Sequence, residues 1–166
     1  MAAEIPPVDP ARDEDLVRDF ARTVLEQAAP EELVLFDQTA ADYFRDPDAV
    51  LDPARRDESV GFGLDLALLT PYVLAVATPV LAFLVQTVAT TAKAEATPVI
   101  TDLVRRLFRA GRSEEPKDAP TVPPVTPEQA RRVREVALAR ASDLGLPEDQ
   151  ARLLADSVVG GLVTAA

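Results

Sequence analysis

Aspartate and glutamate are the only abundant side chains in this chain of 166 residues that could move a proton or hold a metal, since 28 acidic residues stand beside no histidine and no cysteine. That composition removes disulfides, thiolate nucleophiles, imidazole bases and the usual zinc and haem ligands together. Carboxylate acid–base chemistry would need one group of a pair pushed up by burial or by a like charge. Glu14, Asp15, Asp19, Glu31, Glu32, Asp37 and Asp42 instead fall where they would cap helices or line a wet face. Asp46-Pro-Asp48 with Asp52 has the outline of a calcium loop. An EF-hand, however, needs glycine at the sixth position and glutamate at the twelfth, and those positions hold Leu51 and Asp57. Ser59, Ser113, Ser142 and Ser157 have neither the glycines of a nucleophile elbow nor a histidine to act as base. Gly61-Phe-Gly63 lacks the third glycine and the preceding strand of a dinucleotide loop, and reads as a hinge. The sequence predicts no catalytic residue, no cofactor and no metal site.

The charge is unevenly spread. Residues 1–63 carry a net −10, residues 64–92 a net −1 from Asp65 alone, and residues 93–166 balance to zero. An acidic first third repels phosphate, so nucleic acid is excluded as an expected partner. The first ten residues have no basic segment followed by an apolar one, and no secretory signal is expected there. Only Lys93 and Lys117 are lysine among 17 basic residues, and 15 residues are proline. That usage points to a GC-rich bacterial genome and says nothing of function.

The elements that would position any site are helical. After a disordered stretch over 1–12, residues 13–56 read as an acidic helical head. Asp13 to Ala28 has Leu16, Val17, Phe20, Val24 and Leu25 at helical spacing, with Glu14 four residues before Arg18. A second helix is expected from Glu31 to Phe44, opening on Pro30 and burying Leu33, Leu35, Phe36, Ala40, Tyr43 and Phe44. A short third begins at Asp46-Pro47, an N-cap followed by proline.

The dominant feature follows. From Leu66 to Ala92 there are 27 residues without a charge. A hydrocarbon core of about 30 Å takes roughly 20 apolar residues in a helix, so a helix over 64–92 is long enough to cross a membrane. Pro71 suits its start, whereas Pro79 falls in its middle, where membrane helices tolerate proline better than soluble ones. Thr78, Ala82 and Gln86, four residues apart, offer a face for helix association. Residues 97–110 read as a basic amphipathic helix, with Lys93, Arg105, Arg106, Arg109 and Arg112 as candidates for a membrane interface.

Residues 111–125 hold four prolines and read as a linker. Beyond it, 126–164 reads as an αα-hairpin. Thr126-Pro-Glu-Gln129 matches a capping box, Gly145 a left-handed C-cap, and Pro147 the start of the second helix. Val133, Val136, Ala137 and Ala141 should face Leu153, Leu154, Val158 and Leu162. Ala141, Gly145 and Ala151 also have the spacing of a DNA-binding helix-turn-helix, but two acids open its second helix and argue against DNA.

The expected fold class is all-α, with short helices flanking one long apolar, transmembrane helix and a C-terminal αα-hairpin. The expected function is a non-enzymatic, single-pass membrane-anchored adaptor that presents helical modules to a protein partner or to itself. Its other partner is the lipid bilayer of the cell membrane, with the C-terminus cytoplasmic by the excess of positive charge after the span. Two alternatives remain. One is a soluble, cytoplasmic helical oligomer with residues 66–92 as a buried core helix. The other is a membrane-perturbing effector subunit.

Overall fold

The computed structural model describes residues 13–52, 68–92, 104 and 125–163. Among these residues every regular element is helical: α1 (Glu14–Ala28), α2 (Phe36–Arg45), α3 (Pro47–Leu51), α4 (Thr70–Ala92), α5 (Pro127–Asp143) and α6 (Glu148–Val163). A 3-10 turn, Pro30–Val34, joins α1 to α2. The expected disordered N-terminus, the basic helix apart from Val104, and the linker apart from Val125 lie outside the described residues.

Four of the helices close a ring in which α1 touches α4, α4 touches α5, α5 touches α6 and α6 returns to α1. From the other side α2 and α3 lie against α4. One continuous hydrophobic cluster runs through all of these contacts. In α1 the inward stripe is Leu16, Val17, Phe20, Ala21, Val24 and Leu25, all buried, as helical periodicity dictates. Arg18 bonds Glu14 at 2.7 Å on the part-exposed flank. Asp46 caps α3 by accepting from the Ala49 N–H at 3.1 Å, with Pro47 behind it.

The single helix expected over 31–44 is divided. Pro30–Val34 winds as a 3-10 turn and Leu35, at φ −100° and ψ 0°, separates it from α2. A 3-10 turn has 3.0 residues per turn, so the phase of the apolar stripe slips at the junction. Phe36 and Ala40 go inward, and Leu33, Tyr43 and Phe44 are partly buried against the core. Leu35, expected to be buried, is 50% exposed, and Val34 beside it is 88% exposed.

The apolar helix α4 is the best-covered element. Leu69 to Ala77 are nine consecutive buried residues, so for two and a half turns the helix has no open face. Beyond Ala77 the burial becomes one-sided. Val80, Leu81, Leu84 and Val85 remain inside, while Thr78, Pro79, Ala82 and Phe83 are half-buried and Gln86 and Thr90 exposed. Pro79 stands on that open side. Having no N–H, it leaves the carbonyl of Ala75 without the usual helical donor. Val104, also helical and fully buried, joins the same cluster.

The C-terminal hairpin forms with the caps its sequence announces. Thr126 and Gln129 bond each other's backbone amides at 2.9 and 3.2 Å, completing the capping box. At the far end the Leu146 N–H donates to the Ala141 carbonyl and the Gly145 N–H to that of Ser142, the two bonds of a Schellman motif. Gly145 has φ +84°, and a Cβ there would meet nothing within 4 Å. Gly145→Ala is therefore expected to cost only the left-handed backbone penalty, about 1 kcal/mol, read as a lower urea midpoint with an unchanged slope. Val133, Ala137 and Ala141 pack inward with Leu154, Val158 and Leu162. Leu153, expected on that seam, is 48% exposed. The inward stripe of α6 is Ala151, Leu154, Ala155, Val158 and Leu162, which leaves residue 153 about 160° from the stripe's centre, on the outer side. Between helices, α6 meets α1 closely at two glycines. A Cβ on Gly161 would stand 3.3 Å from Thr23 Cγ2, and one on Gly160 would collide with the end of the Gln27 side chain.

Candidate functional surfaces

The most specific polar constellation in the described chain sits at the start of α4. Glu32, on the 3-10 turn, reaches across 37 residues of sequence to accept the Leu69 N–H on Oε1 at 2.7 Å. Its Oε2 accepts the Thr70 N–H at 2.8 Å and the Thr70 hydroxyl at 2.6 Å. The first amides of a helix have no partner within it, and the helix dipole is positive there. A carboxylate from another element thus caps the longest of the described helices, where the local sequence offers leucine at the capping position. The Thr70 hydroxyl is buried and satisfied by the same group.

Several other carboxylates form ion pairs. Asp37 pairs with Arg22 at 2.7 Å, Asp42 with Arg45 at 3.2 Å, and Asp156 with Arg134 at 2.7 Å across the hairpin. Glu148 pairs with Arg152, and Glu135 with Arg132, on exposed faces. Among the described residues no group of three or more histidine, cysteine, aspartate or glutamate side chains could hold a metal ion. Asp46, which opened the calcium-loop outline, is the cap of α3.

Arginine and aromatic residues fasten α1 to α2. The Arg18 guanidinium stands 5.1 Å from the centre of the Phe44 ring, and that of Arg22 stands 4.8 Å from the centre of Phe36. Both lie within the range of cation–π attraction. Phe44 also meets Tyr43 edge to face at 5.5 Å. Burial pushes the Tyr43 hydroxyl up from its ordinary value of 10.0, with Arg140 pulling it down and Asp48 adding to the rise. The raised value means that the folded state holds the proton more tightly than the unfolded chain. Its contribution to stability is complete below pH 10 and is lost as pH rises through the folded value. With no histidine or cysteine in the chain, thermal stability is expected to be flat from about pH 6 to 9 and to fall above about pH 10. Tyr43→Phe should shrink that alkaline fall, measured as Tm against pH by circular dichroism.

Among the described residues, two exposed or half-exposed faces bear on the sequence's candidates. One is the outer side of the C-terminal half of α4. Thr78, Ala82 and Gln86, which the sequence put forward for helix association, share this face with Pro79, Phe83 and Thr90. The other is the outer side of the hairpin, where Leu153 emerges beside Arg152 and Asp156. Ser142 lies exposed at the hairpin turn and Ser157 is buried in α6, and the chain has no histidine to act as base for either. Ser59, Ser113 and Gly61-Phe-Gly63 lie outside the described residues, as do Lys93, Arg105, Arg106, Arg109 and Arg112.

Sequence reasoning placed Glu32 on a cap or a wet face, and did not see that the cap belongs to a helix almost forty residues away. A glutamate two residues after a proline looks like the first turn of its own helix. No local signal distinguishes the two. No protein-family model, curated protein or solved structure matches the chain.

Proposed function

We propose that the chain is a non-enzymatic helical interaction module in which the apolar run is the pillar of a bundle, and which engages a protein partner through its hairpin. The observation that carries this reading is the sheath around α4: 67% of the residues from Thr70 to Thr87 are buried. The helices that cover it carry charged pairs on their outer flanks, Arg18–Glu14 and Arg22–Asp37 on one side and Arg134–Asp156 on the other. Such an exterior suits water and does not suit hydrocarbon. At the hairpin, exposed Leu153 has the ion-paired Arg152 and Asp156 close by on the same helix, the make-up of an interface anchor within a polar rim.

The experiment is alkaline-carbonate extraction of cells expressing the tagged chain, followed by size exclusion with light scattering. Release into the supernatant as one discrete species supports the bundle. Retention of the whole population in the pellet sinks it.

One observation favours a second reading. Residues 66–92 carry no charge, and the window Thr70–Thr87 is long and apolar enough to cross a membrane. On that reading the chain is a single-pass anchored adaptor of the cell membrane. Lys93, Arg105, Arg106, Arg109 and Arg112 would follow the span and hold the C-terminus in the cytoplasm. Carbonate-resistant retention is its expected result, and protease accessibility of the hairpin in sealed cells then tests the orientation.

A further inference from the structure

We propose that the bundle is the water-soluble form of a membrane-inserting chain, in which α4 exchanges its helical sheath for the lipid of a zwitterionic bilayer. The inference rests on α4 being the core of a bundle and adds a second state to it.

Three observations meet in it. First, α4 has 23 residues, about 35 Å at 1.5 Å per residue, against about 30 Å of hydrocarbon. Core and lipid both keep this helix from water, so the exchange exposes none of its apolar surface; what it gives up is packing and the Glu32 cap. Second, the sheath helix α1 is amphipathic, with Leu16, Val17, Phe20 and Val24 on its inner face and charged residues on its outer one. A bilayer interface accepts such a face when it leaves α4.

Third, three of the four large apolar side chains left in water among the described residues gather at one end. Val34 closes the turn that carries Glu32, Leu35 directly follows it, and Leu68 directly precedes the amides that Glu32 holds. They make an apolar tip around the N-terminus of α4, the surface a bilayer would meet first. Glu32 is the latch across that tip, binding its two segments together. The net −10 of residues 1–63 favours zwitterionic over anionic lipid, because an anionic leaflet repels an acidic head.

The test uses the full chain and phosphatidylcholine vesicles. Cysteine is absent, so Gln86→Cys accepts a single polarity-sensitive dye at an exposed position of α4. The expected result is a soluble chain with a wet probe alone, a rise in emission with vesicles, and loss of that emission when the lipids carry a quencher. In a separate variant, Thr23→Cys with Gly161→Cys, a Cβ at 161 would stand 3.3 Å from Thr23 Cγ2, one bond from the Cβ of residue 23, so the two positions are close enough for a disulfide that closes the sheath. Circular dichroism checks that this pair is folded. Oxidised, it should fail to float with vesicles, and reduced, it should float. A soluble chain whose probe stays wet with vesicles overturns insertion and leaves the bundle standing. An oxidised staple that floats as well as the reduced one overturns opening of the sheath. A chain with no carbonate-soluble form overturns the bundle reading itself.

Discussion

Leu81→Arg is expected to unfold the bundle, while Gln86→Arg, little more than one turn along the same helix, leaves it intact. Leu81 is fully buried, as are Ala77, Val80 and Leu84 on the same helix. Truncation to alanine there should cost about 3 kcal/mol through lost transfer energy and a cavity. Arginine does more harm, because its guanidinium cannot shed its proton and carries a desolvation penalty of several kcal/mol. Against a typical domain stability of about 5–15 kcal/mol, that removes most or all of the folded population. Gln86 faces water, and arginine there should move stability by no more than about 0.5 kcal/mol. The contrast also separates the two environments proposed for α4. In a bilayer both positions lie within the span, and each arginine would cost about 2.5–3.5 kcal/mol near its centre. Urea denaturation followed by circular dichroism, beside carbonate extraction of the same variants, reads the difference.

Glu32→Ala is the second large effect, expected at about 3 kcal/mol although the side chain lies on a short turn at the edge of the fold. Its loss strands two amide donors and a buried hydroxyl together. Hydrogen bonds to a charged acceptor contribute about 1.5–3 kcal/mol each, and water can reach the part-exposed site to recover some of this. Glu32→Gln keeps one acceptor oxygen and should cost about half as much. Glu31→Ala, one residue away and exposed, should change stability by under about 0.5 kcal/mol. Hydrogen exchange gives the local readout: the amides of the first turn of α4 should lose protection in the alanine variant ahead of those of α5 and α6.

The helical class, the capping box at Thr126, the proline-led start of α3 and the glycine cap at Gly145 were all legible in the sequence, because each depends on residues within five positions of one another. What the sequence misassigned depends on phase. Leu35 and Leu153 are large and apolar, and a reading that weights size places them inside. The structure sends them outward because a 3-10 turn shifts the register before Leu35, and because α6 packs through Ala151 and Ala155. Alanine carries little hydrophobic weight but allows the close approach that sets the seam. The Glu32 cap and the approach of Gly161 to Thr23 were not legible at all. Both join segments whose proximity exists only after the chain has folded. Among candidate surfaces, Thr78, Ala82 and Gln86 were placed on one face by spacing alone, and that face is the open side of the C-terminal half of α4.

The order in which the sheath is laid down along the chain has a consequence for synthesis. α1, α2 and α3 leave the ribosome before α4, but α5 and α6, which complete its cover, end about 70 residues after it. At about 5–20 residues per second, that leaves the apolar helix half-dressed for roughly 4–14 s. During that interval it presents to chaperones and targeting factors what a genuine membrane anchor presents. The fate of each newly made copy, cytosol or bilayer, is thus open to a kinetic contest between elongation of the last two helices and capture of the one before them.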